Sequence, residues 1–539
     1  MKEKKRLAAI VKTDRVKTIT MPLTFSQFTL YNERTKAYDL GHSNLSGSVS
    51  MCGVFGLISR EPVSYRLIKG AERLQNRGER STKVVTFDGN FFHEKGGLQP
   101  PAFLFFDYDY RKLEGNSGIV HTRYATTGAT SAEMLARNMQ PVFTNRPGMA
   151  LCNNGDLINM ESTTRKLKER GFSFQTQVDA KVIQNCLMDH LIENKIYKMK
   201  DIDEFVDVLM QSVDETHHDL IGAYSALALF ENGLLAFKDP QGIRPLCMAQ
   251  RKDENGNTIE IGFSSESSVF NYFGDYTKLR ELEPGEAIFV DYENMNVYQR
   301  KLTSRKEAFC FFEYVYFARP DSKFNGNYVE VLRKRLGKVL AQQFSEYRDK
   351  LDVVVGLPGT AVSTGQMFGQ YLDIPVRNAI IKVGSKRSFQ ETSDEKRKKA
   401  IDDKFIFIRD FIQNRRVAIV DDSNVRGTTA KKIIRRLFDL GAAEVHMFYY
   451  TPPIIGPCFY GIDTPDENLL IAYNRSMEEI RQEMGCTSIN YISIENLIKG
   501  LEYPADKLCL ACINREYPTD ITEREERIAM RLAQRKSCC

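Results

Sequence analysis

The stretch RVAIVDDSNVRGTT, residues 416–429, decides how the second half of this chain folds. Its first five residues are mainly apolar and β-branched and stop at two aspartates, which is typical of a buried strand in a parallel sheet. A short turn containing Gly427 follows. Apolar residues then recur at helical spacing until Gly441, a residue type that often ends helices. The pattern therefore predicts a strand, a turn and a helix of an α/β sheet.

Other segments of the second half extend this sheet in both directions. Residues 444–450 read as the next strand, and residues 352–357, which run into Pro-Gly-Thr, read as an earlier one. Strands that alternate with helical patterns predict a parallel sheet. The part before residue 290 has many short apolar runs broken by Gly, Asn and Asp, which predicts a strand-rich α+β layer fold.

We therefore expect four parts along the chain. A leader or misassigned start covers 1–51, and a first domain covers 52–290. An α/β domain covers 291–500, and a tail with two cysteines and a charged helix covers 501–539.

Composition narrows the class of protein. A chain of 539 residues is too long to fold around one ordinary hydrophobic core, which favours two large domains. A net charge of +5 is small for this length and gives no reason to expect nucleic-acid binding. No apolar run is long enough to cross a bilayer, and no signal peptide is evident, so we expect a cytoplasmic protein without a membrane partner. The eleven cysteines are scattered, unlike a secreted disulfide framework.

The two aspartates after the predicted strand, Asp421 and Asp422, indicate a ligand site. Ligands of open parallel sheets bind at the carboxyl ends of strands. Paired carboxylates there can accept hydrogen bonds from vicinal sugar hydroxyls or hold Mg²⁺. The helix start with Gly427, Thr428 and Thr429 suits a phosphate monoester. The alternative is a capping turn with solvated carboxylates, which the strand, the glycine and the threonines make the weaker interpretation.

A second group of residues surrounds Cys52, in the glycine-rich segment MCGVFG. A thiol is a good acyl acceptor once a base removes its proton. If Cys52 were the first residue of the mature chain, its α-amine, with a pKa near ~8, could be that base. For a lone cysteine, burial in the core would be the simpler interpretation.

The motifs around both sites resemble those of glutamine amidophosphoribosyltransferases, and the resemblance runs from Cys52 to Cys512. The segment AIVDDSNVRGTT is similar to the phosphoribosyl-pyrophosphate motif of type I phosphoribosyltransferases. The other matching stretches are MCGVFGLI, LQNRGERS, IVHTRYATTG, NMQP, NNGDL, GAYSALALF, KDPQGIRPL, SSES, LEPGE, CFFEYVYFARPDS and PPIIGPCFYGID. The resemblance implies an N-terminal-nucleophile glutaminase sandwich of α+β class followed by an α/β type I phosphoribosyltransferase domain.

Residue roles in the glutaminase half follow from this resemblance. Cys52 would be the nucleophile, and Asn154 with Gly155 would form the oxyanion hole. Arg123 would hold the α-carboxylate of glutamine, and Asp179 would bind its α-amine. Four residues of this half depart from the family pattern: Asn76 and Asn153 stand where histidine is usual, Asp156 stands where asparagine is usual, and Arg80 also differs. In the transferase half, Asn424 stands where an aliphatic residue is usual.

The resemblance also assigns residues of the transferase half. Thr360 would hold Mg²⁺ together with Asp421 and Asp422. A loop near residues 382–389, one residue shorter than in the family, would cover the substrate. The residues that would bind phosphoribosyl pyrophosphate are Asp421, Asp422, Ser423, Arg426, Gly427, Thr428, Thr429, Lys382 and Arg387.

Four cysteines form the last implied site. Cys509 and Cys512 make one Cys-x-x-Cys pair, which alone is weak evidence of a metal. Iron–sulfur forms of the family place cysteines at these positions and at those of Cys310 and Cys458, which implies a structural [4Fe–4S] cluster. Zinc remains the alternative, because four thiolates suit it equally well.

The implied activity is the transfer of glutamine ammonia to phosphoribosyl pyrophosphate, which gives 5-phosphoribosylamine, glutamate and pyrophosphate. This reaction is the first step of purine nucleotide synthesis, so purine nucleotides are implied as feedback ligands and a homo-oligomer, often a tetramer, as the assembly. Two alternatives remain: a glutaminase coupled to a sugar isomerase or synthetase, and a degenerate paralogue that binds nucleotides as a regulator. Cys52 also lies 51 residues into the chain, so the nucleophile hypothesis requires removal of residues 1–51 or a start at Met51.

Overall fold

The structure is a computed structural model that describes residues 51–123, 132–383, 405–462, 464 and 467–537, with side chains as far as residue 530. These residues belong to one compact unit, His42–Cys539. The expected leader, apart from Met51, and the candidate Arg387 lie outside the described residues.

The first half of the described chain is built from thirteen strands in two antiparallel sheets. The strands are β1 Gly53–Ser59, β2 Ser81–Phe87, β3 Phe92–Gly97, β4 Ser117–Arg123, β5 Val142–Asn145, β6 Gly148–Asn154, β7 Ser225–Phe230, β8 Gly233–Lys238, β9 Cys247–Lys252, β10 Thr258–Ser264, β11 Tyr276–Glu281, β12 Glu286–Asp291 and β13 Val297–Lys301. One sheet has the order β11-β9-β10-β1-β4-β2-β3, and the other has the order β13-β12-β8-β7-β6-β5.

Helices cover the outer faces of these two sheets. The helices are α1 Ser64–Arg73, α2 Pro101–Leu104, α3 Ala132–Arg137, α4 Met160–Glu169, α5 Asp179–Glu193, α6 Ile202–Asp219 and α7 Ser268–Phe273. Val54, Ile119, Ala150 and Leu227 meet between the sheets in a buried apolar cluster. Helices α5 and α6 pack on the second sheet through their own buried face. The result is a four-layer sandwich, which agrees with the α+β prediction.

The second half contains a parallel sheet and several short strand pairs. The strands are β14 Phe309–Cys310, β15 Lys323–Phe324, β16 Asn327–Tyr328, β17 Val353–Gly356, β18 Ile380–Lys382, β19 Phe405–Phe407, β20 Arg416–Asp421, β21 Glu444–Tyr449, β22 Ser488–Tyr491 and β23 Leu508–Cys509. The helices are α8 Val329–Gln343, α9 Val362–Leu372, α10 Thr428–Asp439, α11 Met477–Met484, α12 Ile494–Leu501, α13 Ala511–Asn514 and α14 Thr522–Ser537, and a π-helix covers Glu313–Phe317.

The predicted unit at residues 416–441 is confirmed. Strand β20 lies inside a four-stranded sheet of order β17-β20-β21-β22, in which every pair is parallel. Helix α10 follows the turn, and its buried residues Ile433, Ile434 and Leu437 face the sheet core. The strands expected at 352–357 and 444–450 are β17 and β21. Among the described residues, no helix is long and apolar enough to span a membrane.

Candidate active site

Cys52 immediately precedes the central strand β1 of the first sheet. Gly53 pairs with Thr122, so the register brings Cys52 beside Arg123 at the end of β4. The Cys52 carbonyl accepts a hydrogen bond of 3.0 Å from Nε of Arg77. Cys52 also lies close enough to Cys152 for its charge to raise the pKa of that buried thiol, after burial itself. The thiol thus sits at the strand ends of both sheets.

Asn154 and Gly155 end the neighbouring strand β6, two residues after Cys152. Asn154 is buried, and its Nδ2 has no hydrogen-bond partner among the described residues. A buried amide donor without an acceptor is costly, so the group is suited to a ligand oxygen. Gly155 has φ of +138°, and a Cβ there would lie 2.0 Å from the Ala223 carbonyl oxygen. Only glycine fits this turn.

Asp179 begins helix α5 and faces the same turn. Its Oδ2 accepts a 3.3 Å hydrogen bond from the backbone N–H of Leu157. Burial and the carboxyl of Asp156, which is hydrogen-bonded to it, raise the pKa of Asp179, and Arg524 of helix α14 opposes this rise. Two facing carboxyl groups form a site that favours a cation. Asp156, one of the family departures, therefore acts together with the predicted Asp179.

Arg123, the predicted carboxylate ligand, is nearly buried. One of its terminal nitrogens donates to the carbonyl of Asn138, and its Nε has no hydrogen-bond partner among the described residues. Asn153 is held in the same region, because its backbone N–H donates to Oε1 of Gln140 at 2.7 Å. The structure thus brings together Cys52, Arg123, Asn154, Gly155 and Asp179 at one end of the sandwich.

A buried network of charged side chains supports Cys52. Arg77 donates to Glu266 at 2.9 Å and makes two hydrogen bonds, of 2.8 and 2.9 Å, to Glu313. Arg244 lies 3.5 Å from the same Glu313 carboxylate. Burial would raise the pKa of Glu266, but Arg77 and the N–H of Arg319 outweigh it, and the pKa is lowered. Asn76 also donates to Glu266, at 2.8 Å, so it supplies a donor despite departing from the family pattern.

Sequence reasoning did not single out this network. A signal existed, because all four of its ionisable residues, Arg77, Arg244, Glu266 and Glu313, lie in stretches quoted above for the resemblance. Charged residues inside otherwise apolar motifs are candidates for buried pairing, since burial of an unpaired charge is very costly.

In the second half, Asp421 and Asp422 lie at the carboxyl end of β20, as predicted. Thr360, which follows β17, donates its hydroxyl to Oδ2 of Asp422. Ser423 donates to the other oxygen of Asp422 at 2.6 Å. Burial and mutual repulsion raise the pKa of Asp421, and burial raises that of Asp422 against the Ser423 and Thr360 hydrogen bonds. Two neighbouring carboxyl groups with raised pKa values repel each other when both are ionised, and a bound divalent cation would relieve this repulsion.

The turn after the aspartates leads directly into helix α10. Gly427 has φ of +72°, and a Cβ there would lie 2.5 Å from Cδ1 of Ile471. Thr428 and Thr429 are the first helical residues, and Arg426 precedes the glycine half-buried. Their backbone N–H groups and hydroxyls form the start of a helix whose dipole favours an anion.

Asn424, another departure from the family pattern, is buried and donates to the Tyr491 hydroxyl at 3.1 Å. Lys382 ends strand β18 and is exposed. The described residues do not bring Lys382 into hydrogen-bond contact with the aspartate turn. Arg387, as noted, lies outside the described residues.

The four cysteines of the implied metal site line one small cavity, together with Ile243, Arg244, Tyr460, Ile462 and Ala511. Cys310 and Cys509 are paired across the parallel strands β14 and β23. Cys458 accepts a 3.4 Å hydrogen bond from the N–H of Tyr460. Burial raises the pKa of Cys310 to about 11, although Arg244 opposes the rise.

The spacing of these sulfurs bears on the choice of metal. Four sulfurs around one zinc would lie about 3.8 Å apart, given Zn–S bonds of about 2.3 Å. Among the described residues, only two groups of three potential ligand atoms lie within 4.8 Å of one another, and neither contains these cysteines. No three of the four sulfurs therefore lie within 4.8 Å of one another, which is wider than one zinc ion requires.

The two halves of the molecule meet at the predicted oxyanion turn. A Cβ at Gly461 would lie 3.0 Å from Cα of Gly155. Arg244 donates to the Tyr460 carbonyl at 2.7 Å and to Sδ of Met51 at 3.0 Å. The segment that carries Cys458 therefore packs against the glutaminase turn, and one buried arginine touches both.

Comparison with known proteins agrees with this architecture. A family model described as a glutamine amidotransferase domain matches residues 127–271. An amidophosphoribosyltransferase of Bacillus subtilis is 34% identical over 490 residues, which are 89% of this chain and 96% of the relative. One of Methanocaldococcus jannaschii is 35% identical over 87% of this chain and 98% of the relative.

Solved structures give the same result. The B. subtilis glutamine phosphoribosylpyrophosphate amidotransferase, complexed with ADP and GMP, has a TM-score of 0.75 and 34% identity, covering 87% of this chain and 98% of that one. A structure described as the allosteric regulatory enzyme of purine biosynthesis has a TM-score of 0.76 and 33% identity, covering 87% of this chain and 97% of that one. The fold expected from the sequence is confirmed, and the chain belongs to the amidophosphoribosyltransferase family.

Proposed function

We propose that the two sites described above carry out one coupled reaction, in which ammonia released from glutamine at Cys52 reacts with phosphoribosyl pyrophosphate at the Asp421–Thr429 turn. The observation that carries the proposal is the pairing of Asp421 and Asp422 with Thr360 beside a helix start, within the same compact unit as the Cys52 site. A sugar isomerase or synthetase partner would not need this turn. The relatives reported above are named as enzymes, which gives no support to a regulator without activity.

In the first half-reaction, the Cys52 thiolate attacks the side-chain amide carbon of glutamine. Arg123 pairs with the α-carboxylate, and the facing carboxyls of Asp179 and Asp156 bind the α-ammonium. The oxyanion is held by Nδ2 of Asn154 and the N–H of Gly155. The amide nitrogen takes a proton and leaves as ammonia, and water then hydrolyses the thioester to glutamate.

In the second half-reaction, ammonia attacks C1 of phosphoribosyl pyrophosphate, and pyrophosphate leaves with the electrons of the broken C–O bond. The carboxylates of Asp421 and Asp422, with Thr360, would hold Mg²⁺ and the ribose hydroxyls, while residues 426–429 bind the 5-phosphate. When bound, Mg²⁺ neutralises charge on the leaving pyrophosphate. Lys382 and Arg387 remain candidates for contacts to pyrophosphate.

The general base of the first step is the α-amine of Cys52, once this residue begins the chain. An amide nitrogen cannot accept a proton at neutral pH, so a peptide bond to Met51 would prevent this role. We propose that residues 1–51 are absent from the active enzyme, by cleavage or by a start at Met51 followed by methionine removal.

The four-cysteine site would hold a [4Fe–4S] cluster, with Cys310, Cys458, Cys509 and Cys512 as its ligands. The support is the shared cavity and the wide sulfur spacing. When bound, the cluster supplies a structural crosslink between the tail and the transferase core. The N–H of Tyr460 and the guanidinium of Arg244, which is 4.0 Å from Cys458, would donate hydrogen bonds to this sulfur ligand.

The remaining features of the function follow from the family. The chain would be a cytoplasmic homo-oligomer, in its commonest form a tetramer, and purine nucleotides would inhibit it. The B. subtilis relative bound to ADP and GMP supports the nucleotide part. The proposed domains are those given above, except that the boundary between residues 290 and 291 moves to the connection after Lys301, because β13 belongs to the second antiparallel sheet.

Product stoichiometry tests the proposal. Purified chain with Mg²⁺, glutamine and phosphoribosyl pyrophosphate should release glutamate and pyrophosphate together in equal amounts. Omission of glutamine should stop pyrophosphate release, and ammonium salts should restore it. Nucleotide binding without pyrophosphate release under any of these conditions would support the regulator alternative instead.

A further inference from the structure

A cluster of metal-ligating side chains lies outside both reaction sites, between the outer ends of helices α5 and α6. Cys186 and His190 are one helical turn apart on α5, and Asp219 is the last residue of α6. One ligand atom from each lies within 4.8 Å of the other two. We propose that Cys186, His190 and Asp219 bind a zinc ion that joins these two helices.

The distances between the potential ligand atoms suit a tetrahedral ion. Nε2 of His190 is 2.8 Å from Oδ2 of Asp219, and Sγ of Cys186 is 3.8 Å from the same oxygen. Ligands of one zinc ion lie about 3.3–3.6 Å apart, given metal–ligand bonds of about 2.0–2.3 Å. These two distances differ by about 0.5 Å or less from the zinc geometry, and all three ligand atoms lie within 4.8 Å of one another.

Nδ1 of His190, the nitrogen that would not bind the metal, already faces a carboxylate, which is the usual hydrogen-bond partner of a metal-bound imidazole. Its Nδ1 is 3.4 Å from Oε2 of Glu215, and Asn194 donates to that same oxygen at 2.7 Å. A carboxylate that accepts a hydrogen bond from the N–H of the non-ligating nitrogen fixes the ring and its tautomer. Glu215 is thus a positioning residue, while Nε2 of His190 points at Cys186 and Asp219.

The local charge favours a cation. Four carboxylates surround His190 and Cys186, those of Asp189, Glu193, Glu215 and Asp219, whereas Arg170 is the cation that pairs with two of them, Asp189 and Glu193. On binding, the thiol proton passes to solvent, and the ion gains a thiolate, an imidazole and a carboxylate, a set that zinc prefers.

The exposed side of the cluster gives a metal ion a route from solvent and leaves room for a fourth ligand. The side chain of Asp219 is 50% exposed and that of His190 is 12% exposed, whereas Cys186 is buried. Zinc could therefore enter from the Asp219 side and keep water as its fourth ligand. The other close group, Asp88, His93 and Glu114, has no thiol, and both oxygens of Asp88 already accept hydrogen bonds, from Asn90, Phe91 and His93.

The test is calorimetric titration of Zn²⁺ into the full chain with its four-cysteine site loaded. One Zn²⁺ per chain should bind, and Cys186→Ser and His190→Gln should each abolish that binding. Glu215→Gln should weaken the affinity by about 10–100-fold, because it removes the positioning carboxylate. Co²⁺ in place of Zn²⁺ should give a thiolate charge-transfer band that Cys186→Ser lacks.

Matched controls separate this site from others. Cys486→Ser removes a different buried thiol, and His93→Gln disables the other histidine group, so both should keep the wild-type stoichiometry. Equal Zn²⁺ binding by wild type, Cys186→Ser and His190→Gln would overturn the proposal, as would no binding by a folded wild-type chain. Glutaminase activity, which needs none of the three ligands, verifies that each variant is folded.

Discussion

At the scale of single residues, the Cys52 site contains polar groups whose interactions are incomplete until a ligand binds. Asn154 presents a buried amide donor with no acceptor among the described residues, and Asp179 faces a second carboxyl. Both arrangements are unfavourable until an oxyanion or an ammonium arrives. Strain of this kind is expected where a ligand completes the hydrogen bonding.

Asn154→Ala tests the oxyanion assignment. We expect the glutamine-dependent kcat to fall by about 10²–10³-fold, the usual effect of losing one oxyanion donor. The ammonia-dependent rate should be unchanged, because the second site is not touched. Steady-state kinetics with each nitrogen source measures both values. A rise in KM for glutamine at constant kcat would assign Asn154 to substrate binding instead.

The aspartate pair predicts a pH dependence of substrate binding. The pKa values of Asp421 and Asp422 are raised in the free protein, and Mg²⁺ requires the ionised forms. Affinity for the Mg²⁺ complex of phosphoribosyl pyrophosphate should therefore increase with pH and keep increasing well above ~4, the ordinary range of an aspartate. Titrations at several pH values measure this slope, and Asp422→Asn should reduce it. A flat profile in the wild type would contradict the assignment.

At the scale of elements, the sequence predicts β20, the turn and α10 well, because each depends on local signals. β-branched residues, a glycine and a 3.6-residue period lie within one short stretch. The Cys52 site is different. Its residues come from β1, β4, β6 and α5, and only the resemblance joined them, since the pairing of Gly53 with Thr122 has no local signature.

Gly427→Ala tests the phosphate turn, and Gly485→Ala is its matched control. Both glycines have φ near +70°, but a Cβ at position 427 meets Ile471 and Met484, while one at position 485 meets nothing within 4 Å. The left-handed backbone costs either variant about 1–2 kcal/mol. Chemical denaturation should show a larger decrease in the free energy of unfolding for Gly427→Ala than for Gly485→Ala. Only Gly427→Ala should raise the KM for phosphoribosyl pyrophosphate. Equal losses in both variants would argue against the close packing of the turn.

At the scale of the whole molecule, the two halves are connected through buried charge. Arg77 holds the Cys52 carbonyl, Glu313 binds Arg77, and Arg244 reaches from Glu313 toward Cys458. The contacts among these residues could not be predicted from the sequence, because 236 positions separate Arg77 from Glu313. Long-range ion pairs of this kind depend on how the domains pack, which periodicity and local propensity do not encode.

Glu313→Gln should destabilise the protein by about 3–5 kcal/mol, because it leaves two buried arginines short of a counter-charge. Urea unfolding measures the free energy. The exposed Glu133→Gln, which removes the partner of Arg137, is the control and should have a far smaller effect. A Glu313→Gln variant as stable as the wild type would show that the network contributes little.

The same network predicts weakening in acid. The folded-state pKa of Glu266 is lowered from its ordinary 4.5, so its contribution to stability is complete above that pH and is lost as the pH falls through the lowered value. Acid should thus loosen the support of Cys52 only after the pH has fallen below the ordinary range of a glutamate, and acid unfolding followed by circular dichroism measures this.

The most direct measurement of the whole account is the nitrogen-source dependence of pyrophosphate release by Cys52→Ala. If the two sites are separate but coupled, this variant should lose the glutamine-driven rate and keep the ammonia-driven rate of the wild type. The intact mass of the active wild-type enzyme, measured on the same preparation, should correspond to a chain that begins at Cys52. Full glutamine-driven activity in Cys52→Ala, or loss of both rates in a folded protein, would contradict the account.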